Sequence, residues 1–292
     1  MYKFYSELSF EDSIDHRQPV WSPDRMQTFR RWYTEDIQDR DTLLITVGDS
    51  WTWGDHLGAI DWNLASDDPI RLQQIYGRLL SDYLDADWVN LARTGCSNYW
   101  MLEKLEDIRS YIQNSRYKKT YLVICLTEDL REATYTRRID IREPYQQLWQ
   151  HSESLVDFLQ QVENLLFDRL ENYFNTVPVI PVVSRAFTDS WQSRSWLLDK
   201  TWCDVIQDQV QFNDYQRPVP FIAQMSIDPL TNIYLPQRPE LKNEFVNIMD
   251  RVATRWSFLG ASEYNLKGST CHPNPAGHQL WADYLFSQIS NK

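Results

Sequence analysis

Three short blocks of this chain carry the hydroxyl, the imidazole and the backbone donors that nucleophilic catalysis needs. The first is Gly48-Asp49-Ser50-Trp51-Thr52-Trp53-Gly54, directly after the β-rich run Leu43–Val47. A serine at such a strand-to-helix turn exposes its hydroxyl. Its N–H lies near a helix N-terminus, where negative charge is favoured. The tripeptide alone equally describes a capped turn. The second block, Asn90-Leu91-Ala92-Arg93-Thr94-Gly95-Cys96-Ser97-Asn98, again follows a strand-like run. Gly95 lets the backbone approach a ligand closely and present its N–H, although an ordinary turn with Ser97 as N-cap explains the stretch as well. The third is His272-Pro273-Asn274-Pro275-Ala276-Gly277-His278. Pro275 suits a first helical position, which leaves His272 in a loop, free to reach another element. His278 falls inside the helix and reads as a packing or surface residue.

The elements that must position these blocks are legible from periodicity. Leu43–Val47, Trp88–Leu91, Thr120–Leu126 and Val179–Val183 read as strands, and Pro181 places the last of them at a strand end or sheet edge. Helical spacing of apolar residues predicts helices over 70–84, 98–115 and 145–174, the last with Leu155, Phe158, Leu159, Val162, Leu165, Leu166 and Leu170 on one face. A final helix is expected from Pro275 to about Ile289. Short apolar strands alternating with helices predict a parallel, doubly wound α/β sheet, whose sites form in loops beyond the carboxyl ends of the strands. Residues 41–292 read as one domain and residues 1–40 as a strap or partner-binding arm. Residues 184–245, rich in Trp, Gln, Asp and Pro, read as an insertion or lid with a strand at Pro220–Gln224.

Composition narrows the partners. With 42% hydrophobic and 24% charged residues among 292, the chain can build a sizeable core. Its 13 Trp, 16 Tyr and 12 Phe against 8 Gly leave some rings available to stack on a sugar or a protein partner. A net charge of −12 argues against nucleic acid and anionic membranes. The four cysteines lack metal-ligand spacing, and no other metal or cofactor motif is present, so no metal or cofactor is expected. Met1–Asp15 has no apolar core of the signal-peptide kind, so the chain is expected to be soluble and made in a cytoplasm.

In this order the three blocks resemble the SGNH/GDSL hydrolase family: GDSWTWGDHL matches its first block, NLARTGCSN its second and CHPNPAGHQLWADYL its last. The resemblance implies a three-layer, flavodoxin-like parallel sheet flanked by helices and an acyl-ester hydrolase. In it Ser50 is the nucleophile, His272 its base, and the N–H groups of Ser50 and Gly95 the oxyanion donors. Asp49 and Asn98 would support them. The wording TWG and LTEDLRE is similar to SGNH-like proteins of tailed bacteriophages, which implies a place in a virion.

Two positions depart from the family pattern. Ser269 stands where an Asp would orient His272; disabling that acid in a serine triad costs roughly 10⁴ in turnover. Glu128 stands where an Asn would donate to the oxyanion, and one lost donor is worth about 10²–10³. Arg131 could neutralise Glu128, face the site, or form a surface ion pair, and Thr127 could donate in the Asn's place. Two readings therefore stay open: an esterase acting on an acylated small molecule or polysaccharide, with carbohydrate O-deacetylation as its expected reaction, or a structural or adhesion protein of a larger assembly on the same fold.

Overall fold

The computed structural model describes residues 34–54, 57, 69–93, 96–131, 139–186, 190–209, 230–248 and 272–290. The expected strand at Pro220–Gln224 and residues 1–33 of the expected arm lie outside them. Five strands, β1 (Thr34–Asp36), β2 (Thr42–Gly48), β3 (Ala86–Asn90), β4 (Lys119–Leu126) and β5 (Ile180–Arg185), form one sheet in the order β1-β3-β2-β4-β5. The last four are parallel and β1 is an antiparallel edge. Residues 34–36 of the expected arm are thus part of the sheet. Pro181 lies in β5 at the opposite edge, where a missing N–H leaves no neighbouring strand unpaired.

Side chains alternate faces along a strand, and both faces of this sheet are apolar. Leu44, Trp88, Tyr121, Val123, Cys125 and Val182 enter one core, while Leu43, Ile45, Val47, Val89, Leu122, Ile124 and Val183 enter a second. The result is a three-layer α/β fold. The first face is covered by α2 (Pro69–Gln74), α3 (Tyr76–Tyr83), α7 (Trp202–Gln209), the C-terminal α8 (Pro275–Ser290) and the start of α6 (Leu155–Thr176). The second is covered by α4 (Asn98–Gln113), through Met101, Leu105, Ile108 and Ile112, and by the remainder of α6. Within 184–245, Trp202, Cys203, Ile206, Leu230 and Tyr234 all lie in the first core.

Two expected helices are divided. The pattern over 145–174 splits into α5 (Ile139–His151) and α6, because the Ser154 side chain accepts from Asp157 N at 3.0 Å and starts a new helix. The helix over 70–84 breaks at Ile75, which is extended (ψ 138°) yet fully buried. Apolar periodicity runs across both breaks, since the segments on either side of each pack apolar residues on the first core.

Candidate active site

The parallel strands run, in spatial order, second, first, third, fourth, so β2 is flanked by β3 on one side and β4 on the other. Their carboxyl ends form the switch point where ligands bind in such sheets. Each end delivers one of the loops singled out above. At the end of β2, a Cβ on Gly48 would lie 2.0 Å from Thr52 Oγ1 and 2.5 Å from Thr52 Cβ, so only glycine lets the chain turn this tightly. Asp49 then caps the one-turn helix α1 (Ser50–Trp53), its Oδ1 accepting from Trp51 N at 3.0 Å. Gly54 closes α1 in the left-handed conformation (φ 76°). Ser50 is held half-buried at the first helical position, among buried neighbours Trp51, Thr52 and Trp53.

At the far end of the chain, Asn274 Oδ1 accepts from Gly277 N at 3.0 Å, and α8 begins at Pro275 as expected. The cap places His272 two residues ahead of it, and His272 Nε2 lies 3.0 Å from Ser50 Oγ across 222 residues of sequence. With Nε2 unprotonated, the serine hydroxyl donates to it.

Trp202 of α7 joins the two loops. Its ring meets Trp51 edge-on at 5.3 Å, meets His278 edge-on at 4.8 Å and stacks on Trp281 at 5.4 Å. Its indole N–H donates to Gly277 O at 3.1 Å. The helix after Ser50 and the helix after His272 thus pack on one buried indole. His278 is a packing residue: 1% exposed, it accepts from Tyr76 N at 3.2 Å, and burial lowers its pKa to about 3. Sequence reasoning missed Trp202, which lies in a segment with no motif; nothing local distinguishes it from the other twelve tryptophans.

Beneath Ser50 lies a buried charge cluster. Arg131 Nε is 2.8 Å from Glu128 Oε2, and its Nη1 is 3.4 Å from Asp49 Oδ2 and donates to Cys96 O at 2.9 Å. Glu128 and Asp49 are each 1% exposed, and Arg131 6%. The surface ion pair that sequence spacing allowed is therefore a buried one, and Arg131 neutralises Glu128. Burial raises the Asp49 carboxyl above its ordinary range, and the nearby guanidinium partly offsets it. Thr127 donates its hydroxyl proton to Glu128 Oε2, so that proton is committed to the carboxylate rather than offered to an oxyanion.

Asn98, the first residue of α4, holds the loop after β4. Its Nδ2 donates to Thr127 O at 3.0 Å and to Asp129 Oδ1 at 3.2 Å, and its Oδ1 accepts from Thr127 N at 2.8 Å. Asp129 also pairs with Arg185, which pairs with Glu163 at 2.7 Å. Gly95 and Ser269 lie outside the described residues.

A model of the GDSL-like lipase/acylhydrolase family matches residues 44–285, spanning β2 to α8. The chain belongs to that family. Among solved structures, a carbohydrate esterase with divergent catalytic and non-catalytic binding functions is 11% identical over 88% of this chain and 67% of its own, with a TM-score of 0.42. A carbohydrate esterase family 2 enzyme with a carbohydrate-binding domain, from Corynascus thermopiles (Myceliophthora fergusii), is 16% identical over 88% of this chain and 68% of its own, at 0.41. A lipolytic G-D-S-L protein from Veillonella parvula is 10% identical over 86% of this chain and all of its own, at 0.36. Comparison with curated proteins found no match. In this member of the GDSL-like family, the block that follows β2 and the block that precedes α8 meet at the carboxyl end of an interior strand. Among the described residues, no helix is long and apolar enough to cross a membrane.

Proposed function

We propose that this GDSL-like acylhydrolase uses Ser50 as its nucleophile and His272 as its base. The observation that carries the reading is the 3.0 Å contact between Ser50 Oγ and His272 Nε2. At that distance Nε2 can take the hydroxyl proton as Oγ attacks an ester carbonyl, then return it to the departing alkoxide. Water enters by the same route, and its attack frees the acid and restores Ser50. The Ser50 N–H opens α1, where no intrahelical acceptor exists, and with the Gly95 N–H it is assigned to the oxyanion. Glu128 takes no part as a donor. Its pairing with Arg131 removes the repulsion that a bare carboxylate beside the oxyanion would exert.

The alcohol side of the ester is assigned to carbohydrate and the acyl side to acetate, which makes the reaction a carbohydrate O-deacetylation. Support comes from the chain's surplus of aromatic rings, a side-chain type suited to stacking on the flat faces of sugars.

A fluorophosphonate probe tests the mechanism, because it bonds only to a serine activated by its surroundings. Labelling of the full chain that disappears in Ser50→Ala and His272→Ala is the expected result, together with hydrolysis of short-chain aryl acetates. Glu128 at the family's Asn position favours a second reading, a structural or adhesion protein of a larger particle on the same fold. Absence of both labelling and hydrolysis in a folded chain decides for it.

A further inference from the structure

Beside the loop that follows β4, a pocket of about 580 Å³, part of it open to solvent, lies among α4, α5 and α6. Its walls include Tyr99 and Leu102 of α4, Tyr145 of α5 and Leu165 of α6, and its two charged residues are Asp129 and Arg169. Asp129 is the deeper, with a side chain 14% exposed, and Arg169 is exposed at the rim.

The two charges differ in how they are engaged. Asp129 is held by Asn98 and by Arg185, and Arg185 also serves Glu163. Two carboxyl groups share one guanidinium, and the Asp129 oxygens offer acceptor positions at the deep end for a hydrogen-bond donor. The Arg169 guanidinium rests 5.5 Å from the Tyr99 ring centroid and forms no ion pair with any described carboxylate. Held over a ring, its planar fork is preorganised for a carboxylate. Between the two, tyrosine and leucine side chains offer surface for a flat ring.

We propose that this pocket binds a hydroxylated six-membered ring carrying a carboxylate. The hydroxyl end faces Asp129, the carboxylate meets Arg169, and the ring lies against Tyr99, Leu102 and Tyr145. A uronic acid residue and a phenolic acid share this chemistry. As a substrate subsite the proposal rests on the hydrolase reading; as a binding site it does not. The pocket adjoins the loop after β4 through Asn98, which both lines it and fixes the backbone of Thr127.

Calorimetric titration of the full chain separates the sources and tests the site. The probes are methyl glucuronoside and 4-hydroxybenzoate, with methyl glucoside and phenol as their uncharged counterparts. At least one acid is expected to bind tenfold or more tightly than its neutral counterpart, an order expected of one charge-assisted bidentate contact. Arg169→Met should abolish that preference. Leu165→Trp, which fills the pocket from α6, should weaken the preferred acid at least tenfold, with circular dichroism and melting showing both variants folded. Equal binding of acid and neutral probes, no binding of either acid, or an acid preference retained in Arg169→Met overturns the proposal. The titration needs no turnover. Arg169-dependent binding without fluorophosphonate labelling removes the hydrolase reading and leaves the pocket; labelling without such binding does the reverse.

Discussion

Arg131→Met is the most informative perturbation of the charge cluster under Ser50. Arg131 lies 2.8 Å from Glu128 and 3.4 Å from Asp49. At an effective dielectric of about 20, each attraction is worth roughly 5–6 kcal/mol. Most of that offsets the several kcal/mol of desolvation each buried ion carries. Removing the cation leaves two carboxylates, each 1% exposed, with one hydrogen-bond donor apiece from Trp51 N and the Thr127 hydroxyl but no compensating charge. The expected loss of stability at pH 7.5 is about 3–5 kcal/mol. Glu128→Gln should lose less, about 1–2 kcal/mol, because Arg131 keeps Asp49 and the Cys96 carbonyl. The double variant should fall short of the sum by at least about 1 kcal/mol, since the two residues share one contact.

The sign of the pH dependence follows from Asp49. Its pKa in the fold already lies above the ordinary 3.8, and Arg131 is what restrains it. Without Arg131 the folded state holds protons that the unfolded chain releases above about pH 4. Stability of Arg131→Met should therefore fall as pH rises, with a smaller deficit at pH 4.5 than at 7.5. Guanidinium denaturation followed by tryptophan fluorescence at both pH values reads this directly. A deficit under about 1 kcal/mol, or one that does not change with pH, refutes the reasoning.

Three further outcomes are expected. Gly48→Ala places a Cβ 2.0 Å from Thr52 Oγ1 and should destabilise by about 3 kcal/mol, with loss of fluorophosphonate labelling in whatever fraction stays folded. Trp202→Ala empties the joint between α1 and α8 and should lower stability by about 3–5 kcal/mol; Trp202→Phe should stay folded yet react more slowly with the probe, because the Gly277 carbonyl loses its donor. His278 has a pKa of about 3 in the fold against 6.5 unfolded, so stability is lost as pH falls below 6.5, about 2 kcal/mol by pH 5. His278→Gln should flatten that loss in denaturation curves at pH 7 and pH 5.

The sheet strands and the three blocks were readable because each rests on local order. A buried strand announces itself by β-branched and aliphatic residues, as in Leu43–Val47 and Thr120–Leu126, and a helix start by a proline suited to its first position, as at Pro275. The division of 145–174 was also encoded locally, in Ser154 and Asp157, but continuous apolar spacing obscured it. The family blocks placed Ser50 and His272 in loops on the same side of a parallel sheet.

What sequence left undecided depends on distance and burial. Glu128 and Arg131 at i, i+3 describe a solvated pair as well as a buried one; only the fold, by bringing Asp49 across 82 residues and excluding water, makes the trio costly to disturb. Trp202 became a joint because α1, α7 and α8 pack on one face of the sheet, a long-range arrangement without local trace. The 3.0 Å approach of Ser50 to His272 belongs to the same class. Side-chain type and turn chemistry are written residue by residue, whereas the distances that let a hydroxyl and an imidazole share a proton arise only when the whole core packs.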